Sequence, residues 1–495
     1  MVYLPRVADD VLAGRLSALG GVLLEGPRAC GKTSTGLQHA ASSVRLDSSP
    51  ELLTLAESAP QLLLDGATPR LIDEWQLAPV VWNAIRHAID DRSAPAQFIL
   101  AGSARPADDI ARHSGVGRIG RVRMRTMSLA ESGRSSREVS LAALMDGASS
   151  VAGRSQLSYA DVAAEAVRGG WPSLISATVA QAQIFNREYC DELYSSDIPM
   201  STGVQRSRSR LRRTLAALAR NVSTEATLST LAADVAADGS SADTRTVRAY
   251  LDALSQVFAL EELSAWSVDL RSRSRLRTQA TIHLADPALA CAALGVGPER
   301  LARDPRYFGF VFESMVVRDL RVLTSGFDGR VFRYRDNTGL EIDTIIESPD
   351  GSWGAMEVKL GQNGLGAAEA ALLKLRDERV DIGKDAGRPR PDRHDHSRAW
   401  PHGRRVGPVA QYHQKRPPDG SGCSLEGTRP TGDLAARRRA CVEPSARPAF
   451  GSTSFGANSK HRSHMLCECA QRTITQTRGP RSAGAAGGPG CSSAA

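Results

Sequence analysis

Residues Gly26, Pro27, Arg28, Ala29, Cys30, Gly31, Lys32 and Thr33 spell a full-length Gly-x-x-x-x-Gly-Lys-Thr loop, followed by Ser34. In such a loop the glycines let backbone N–H groups close around a phosphate chain. The lysine ammonium sits on the β- and γ-phosphates, and the threonine hydroxyl serves Mg²⁺. Lysine is scarce in this chain, so composition alone does not produce the match: Lys32, Lys359, Lys374, Lys384, Lys415 and Lys460 are all there are. Further along, Arg70-Leu-Ile-Asp-Glu-Trp-Gln76 is an apolar run ending in two carboxylates. Asp73 is suited to hold Mg²⁺, directly or through water, and Glu74 to polarise the attacking water. Phe98-Ile-Leu-Ala-Gly-Ser103 ends a further apolar run on a small hydroxyl. Ser103 is either a γ-phosphate sensor or the start of a turn. Arg118 and Arg121 follow a Gly-rich turn, and either is a candidate arginine finger acting on a neighbouring subunit. ATP and Mg²⁺ are the ligands these residues predict, and ATP hydrolysis is the reaction.

A second constellation lies downstream. Asp343 falls on one expected strand and Glu357-Val-Lys359 on the next, with Glu313 on a preceding helix. Residues two apart on a strand share a face, so Glu357 and Lys359 point the same way. Carboxylates on adjacent strands beside a lysine can bind Mg²⁺ and activate water for phosphodiester cleavage. The bland alternative is a set of solvated strand ends. His461, His464, Cys467 and Cys469 also have ligand-like spacing, but their surroundings lack the apolar residues of a core, which makes the spacing accidental.

The elements that must carry these residues read as α/β. Apolar runs at 21–25, 43–46, 70–72 and 97–101, with helical stretches between them such as 33–41 and 80–90, predict a parallel sheet over residues 1–130. The segment 118–128 is a candidate fifth strand. Residues 131–157 are rich in Ser, Gly and Arg and read as a linker or surface excursion. Residues 158–300 are helical. Within them, Asp243 to Leu254 is the candidate second helix of a helix-turn-helix, and 257–263 with 280–284 a candidate wing. A plain helical lid on the first domain is the alternative. Residues 301–384 return to α/β: a helix over 308–323, strands over 330–335, 341–347 and 353–360, and a helix over 365–379.

Beyond residue 384 the composition changes to Arg, Pro, Gly, Ser and His, with too few apolar residues for a core. Residues 385–495 are therefore expected to be a disordered tail, of the kind an out-of-frame reading of a GC-rich gene produces. The formal net charge of +8 belongs to that tail, because the residues before it are close to neutral. High basicity is thus no argument that the folded part binds nucleic acid. Cys30, Cys190 and Cys291 are isolated and form no disulfide framework. No membrane-spanning run and no signal pattern are present, so a cytoplasmic protein with no membrane partner is expected.

Taken in order, the loop, the Asp-Glu strand end, the Gly-Ser strand end and Gly117-Arg-Ile-Gly-Arg-Val-Arg-Met-Arg-Thr-Met-Ser128 resemble a family of bacterial and archaeal AAA-type P-loop ATPases, most of them uncharacterised. Gly169-Gly-Trp-Pro172 and Tyr189-Cys-Asp-Glu-Leu-Tyr-Ser-Ser-Asp-Ile198 resemble it too. The likeness runs over residues 1–384. It implies an AAA-type sheet, ATP hydrolysis, a winged-helix region and a nuclease-like C-terminal domain, with arginine fingers implying oligomers. The C-terminal constellation is similar to the PD-(D/E)xK nuclease core, with Glu313, Asp343 and Glu357 as metal ligands and Lys359 beside them. Ile342 stands where that pattern has proline, and the core's later strand should follow the 365–379 helix, where the tail begins. Three functions remain open: an ATPase that moves its attached domains, an ATP-dependent enzyme that cuts DNA, and a nucleotide-switched DNA- or partner-binding regulator without nuclease activity.

Overall fold

The computed structural model describes residues 2–104, 115–146, 153, 155–198, 207–236, 243–267, 279–361, 364–385 and 474–477. The first unit contains α1 (Val7–Ala18), β1 (Gly21–Glu25), α2 (Lys32–His39), β2 (Ser42–Arg45), α3 (Pro50–Ser58), β3 (Arg70–Asp73), α4 (Val81–Arg92), β4 (Phe98–Gly102) and β5 (Ile119–Arg123). All five strands are parallel, in the order β2-β3-β4-β1-β5. Alternate side chains feed opposite cores, as a pleat requires. Val22, Leu24, Leu71 and Ile99 pack with Leu12 and Leu16 of α1 on one face. Leu23, Ile72, Phe98 and Leu100 pack with Trp82, Ile85 and Ile89 of α4 on the other. Burial on both faces explains why these strands read as continuous apolar runs. The architecture is the α/β P-loop sheet that the sequence predicts.

After the sheet, the stretch expected to be a linker is partly built into the fold. Glu131 is buried against Arg6, at 3.1 Å. Short α5 (Leu141–Met145) buries Leu141 and Met145 in a core shared with the C-terminal unit. Residues 147–152 of that stretch lie outside the described residues. Next come α6 (Tyr159–Arg168) and α7 (Val179–Glu192), which runs on into a π turn over Leu193–Asp197. Then follow α8 (Arg208–Arg220), α9 (Leu228–Val235), α10 (Thr244–Gln256) and an antiparallel ribbon of β6 (Leu260–Leu263) and β7 (Thr281–Leu284). Leu211, Leu215, Leu231, Leu251 and Leu254 share one core with Leu193 and Ile198.

The C-terminal part contains α11 (Pro287–Ala293), α12 (Pro298–Ala302), the long α13 (Pro305–Ser325), strands β8 (Arg330–Arg335), β9 (Glu341–Glu347) and β10 (Trp353–Met356), and α14 (Leu365–Asp385). Strand β10 is shorter than expected, so Glu357 and Lys359 lie just past its end. The sheet is antiparallel, with β9 between β8 and β10. Its edge strand β11 (Ile474–Thr477) comes from within the segment expected to be disordered, and pairs Ile474 with Met356. The rest of 386–495, including His461, His464, Cys467 and Cys469, lies outside the described residues. Helix α6 belongs to the C-terminal core, where Val162, Ala166 and Val167 meet Phe308, Phe312 and Met315. No described helix is long and apolar enough to cross a membrane.

Candidate nucleotide site and C-terminal charge cluster

The phosphate loop lies between β1 and α2, at the C-terminal ends of the parallel strands, where open α/β sheets bind ligands. Gly26 has no room for a side chain, because a Cβ there would lie 2.2 Å from the Met124 carbonyl oxygen. Gly31 has φ 103°, a left-handed conformation that favours glycine. Arg6 supports the loop from outside: its Nη1 donates to the Cys30 carbonyl at 2.9 Å and its Nη2 to that of Arg125 at 2.9 Å. Lys32 is buried, and its Nζ donates to the carbonyls of Gly26 at 3.0 Å and Pro27 at 2.8 Å. Thr33 and Ser34 open α2, whose N-terminal N–H groups face the loop.

The two carboxylates predicted for this site arrive at the end of β3, Asp73 as its last residue and Glu74 just past it. Thr33 Oγ1 donates to Asp73 at 2.9 Å and 3.0 Å. Burial pushes the Asp73 carboxyl upward, and the Thr33 hydroxyl opposes the shift. Glu74 takes a left-handed conformation, φ 55°, that turns the chain out of β3, and Gln76 Nε2 donates to its carboxylate. A bulky residue in that conformation is strained, and such strain collects at functional sites. Ser103 follows Gly102, which registers with Glu25, so it stands level with the loop. Thr33, Asp73 and a cradle too tight for a Cβ fit Mg²⁺ and a phosphate chain. Arg45, at the end of β2, lies 3.7 Å from Asp73.

The two finger candidates lie elsewhere. Arg118 precedes β5 at the end of the sheet opposite the loop, and its Nε donates to Asp90 at 2.5 Å. Arg121 reaches Glu25 at 3.0 Å on the edge of the sheet. Arg118 is thus at the far end of the sheet, and Arg121 ends on the residue that precedes the phosphate loop.

Residues 20–133 match the AAA domain family. Over these residues the parallel sheet, with the phosphate loop at its strand ends, has the α/β P-loop architecture. Residues 159–300 and 308–388 match two domains of unknown function, DUF8612 and DUF4143. The chain is 27% identical to the uncharacterized protein Rv2008c of Mycobacterium tuberculosis and, equally, to Mb2031c of Mycobacterium bovis, over 66% of this chain and 67% of theirs. It also aligns, at 14% identity and a TM-score of 0.37, with the Walker-type ATPase PABY2304 of Pyrococcus abyssi, covering 59% of this chain and 96% of that one.

Beyond the P-loop unit, the second predicted constellation does converge. Lys359 Nζ donates to Asp343 at 2.9 Å and also to Glu357, while the Val358 N–H donates to Asp343 at 2.7 Å. Burial and the neighbouring Asp343 raise Glu357 to about 7. The same two causes push Glu313 well above the carboxylate range. The cluster differs from the expected metal cage in one respect. The Lys359 ammonium bridges the two strand carboxylates, and among the described residues no three His, Cys, Asp or Glu are grouped to hold an ion.

Contacts between distant segments escaped the sequence reading. Arg6, Arg45 and the pairing of Arg28 with Asp197, 2.5 Å apart, had no local spacing to reveal them. Asp197 sits inside a stretch singled out only by resemblance.

Proposed function

We propose that this protein is an Mg²⁺-dependent ATPase whose AAA-type domain drives the helical and C-terminal units attached to it. The observation that supports this most is the convergence of Lys32, Thr33, Asp73 and Glu74 at the C-terminal ends of the strands. Lys32 and the loop N–H groups bind and orient the phosphate chain. Thr33 and Asp73 would hold Mg²⁺, which neutralises phosphate charge when bound. Glu74, beside them, accepts a hydrogen bond from the attacking water and aligns it. Arg118 or Arg121 would serve as a finger only toward a neighbouring copy, and Ser103 would sense the γ-phosphate. The test is phosphate release from Mg-ATP by the wild type and Glu74→Gln. Turnover in the first, and binding without turnover in the second, is expected; equal turnover refutes the assignment.

For the attached units, α8 to α10 with the β6–β7 ribbon suit a winged helix, with α10 as the recognition helix. Its Arg245 and Arg248 are exposed and suited to DNA phosphates. Glu313, Asp343, Glu357 and Lys359 suit a PD-(D/E)xK-like site that cuts DNA once Lys359 yields to Mg²⁺. A nucleotide-switched, DNA-binding regulator without nuclease activity is the second reading. The bridging Lys359 favours it, because the ammonium already satisfies both strand carboxylates.

A further inference from the structure

The phosphate loop has a neighbour that the ATPase reading does not use. Arg28, the third residue of the loop, points its Nη1 at Asp197 at 2.5 Å and at Glu192 at 3.9 Å. Both carboxylates come from the helical region, at the end of α7 and in its π turn. The Tyr189 hydroxyl on the same helix donates to the Arg28 carbonyl at 3.4 Å. The Tyr189 ring packs on buried Trp171 at 4.5 Å. Pro172 lies beside the loop too, 3.4 Å from where a Gly31 Cβ would be. The Gly-Gly-Trp-Pro break and α7 thus form one surface laid against the phosphate loop.

Asp197 occupies an unusual position on this surface. Its side chain is only 13% exposed, beside a loop built to receive polyanionic phosphates. Lys32 and Glu74 are both within electrostatic reach of it. A π turn inserts extra backbone into a helix and re-aims its side chains, and such turns concentrate at functional sites. Here the turn brings Asp197 to the loop, while its neighbours Leu193 and Ile198 are fully buried in the core shared with α8, α9 and α10. The carboxylate and the phosphates make competing demands on one guanidinium, and like charges brought to the same loop repel each other.

We propose that Arg28 and Asp197 form a nucleotide-responsive clasp. The pair holds the helical region to the phosphate loop, and nucleotide phosphates displace Asp197 by drawing Arg28 to themselves, which shifts the core that carries α8 to α10. Asp197 is a positioning residue that acts through Arg28. This inference rests on the nucleotide-site reading above and adds a regulatory contact to it.

The test uses the full chain and measures Mg-ATP affinity by titration calorimetry for the wild type, Asp197→Asn, Arg28→Gln and the double variant. Asp197→Asn should bind about tenfold tighter, because the competing charge is gone. Arg28→Gln should bind more weakly than wild type, because it leaves Asp197 unpaired beside the phosphates. The double variant should recover most of that loss, giving a non-zero coupling between the two sites. Hydrogen exchange over residues 186–198 supplies the second readout. Mg-ATP should raise exchange in the wild type, and Asp197→Asn should exchange at the raised level without nucleotide. A purely structural role for the pair predicts weaker binding in both single variants, and that outcome overturns the proposal. Protection of 186–198 by Mg-ATP also overturns it. A wild type that binds no Mg-ATP overturns both this inference and the ATPase reading. Normal wild-type binding with unchanged Asp197→Asn affinity overturns this inference alone.

Discussion

Replacing Glu261 with Gln should loosen the joint between the P-loop unit and the rest of the chain. Glu261 lies on β6 and is only 11% exposed at its side chain. It meets Arg123 of β5 at 3.2 Å, Arg125 just beyond β5 at 3.0 Å and Arg321 of α13 at 2.6 Å. Burial by itself would raise the Glu261 carboxyl, but the three guanidinium groups outweigh burial and hold it well below the usual range. Burial, against the pull of Glu261, lowers Arg321 to about 10. At about 3 Å and an effective dielectric near 20, each contact contributes roughly 5 kcal/mol before desolvation is subtracted. Desolvation removes several kcal/mol per ion, and removing one member of a buried cluster costs about 3–5 kcal/mol net. Glu261→Gln keeps the shape and removes the charge that three arginines share, so a loss of about 3 kcal/mol or more is expected. Glu262→Gln, one residue on and exposed, is the control and should change stability by under about 0.5 kcal/mol. The assay is urea denaturation followed by tryptophan fluorescence, read as a midpoint shift at constant slope. The pH dependence has a definite sign. A carboxyl depressed in the folded state stabilises the fold above its unfolded value of 4.5, and that stability is lost as pH falls below it. The gap between wild type and Glu261→Gln should therefore shrink as pH drops below about 4.5. If Glu261→Gln falls within about 0.5 kcal/mol of Glu262→Gln at pH 7, the cluster is not a stabilising joint.

Other consequences are equally direct. Glu74→Gln should bind Mg-ATP normally while its turnover falls by about 10²- to 10⁴-fold, measured by single-turnover phosphate release. Asp343→Asn should leave ATP turnover intact and abolish any Mg²⁺-dependent nicking of supercoiled DNA; a wild type that nicks nothing favours the regulator. Substituting Arg245 and Arg248 with Ala should weaken DNA binding across sequences and flatten its salt dependence by roughly one unit for each phosphate no longer neutralised.

The first site was legible because its chemistry is local. Eight consecutive residues build the phosphate loop, and the apolar runs of β1, β3 and β4 are long enough to be read without a partner. Asp73 and Glu74 follow from the strand that ends on them. The C-terminal cluster was legible for a similar reason, since Glu357 and Lys359 are two apart and Asp343 lies one hairpin away. Its charge state was not. Nothing in a short acidic-x-lysine pattern says that Lys359 will bridge Asp343 and Glu357. The buried residues within the stretch expected to be a linker were missed because Ser, Gly and Arg dominate their neighbourhood. Glu131 is nevertheless anchored by Arg6, and Leu141 and Met145 by α13. Strand β11 was missed because Ile474-Thr-Gln-Thr477 is a four-residue patch in polar surroundings, and its pairing partner β10 lies far earlier in the chain. The Arg28–Asp197 contact joins segments far apart in sequence, and composition and periodicity do not report such distances.

Lys32, Thr33, Asp73 and Glu74 are proposed to make a working Mg-ATP hydrolase site. Steady-state phosphate release by the full chain, wild type against Lys32→Ala and with Mg²⁺ present or chelated, tests it most directly. Turnover that requires both Lys32 and Mg²⁺ is the predicted result; hydrolysis that survives Lys32→Ala, or no hydrolysis by the wild type, contradicts the claim.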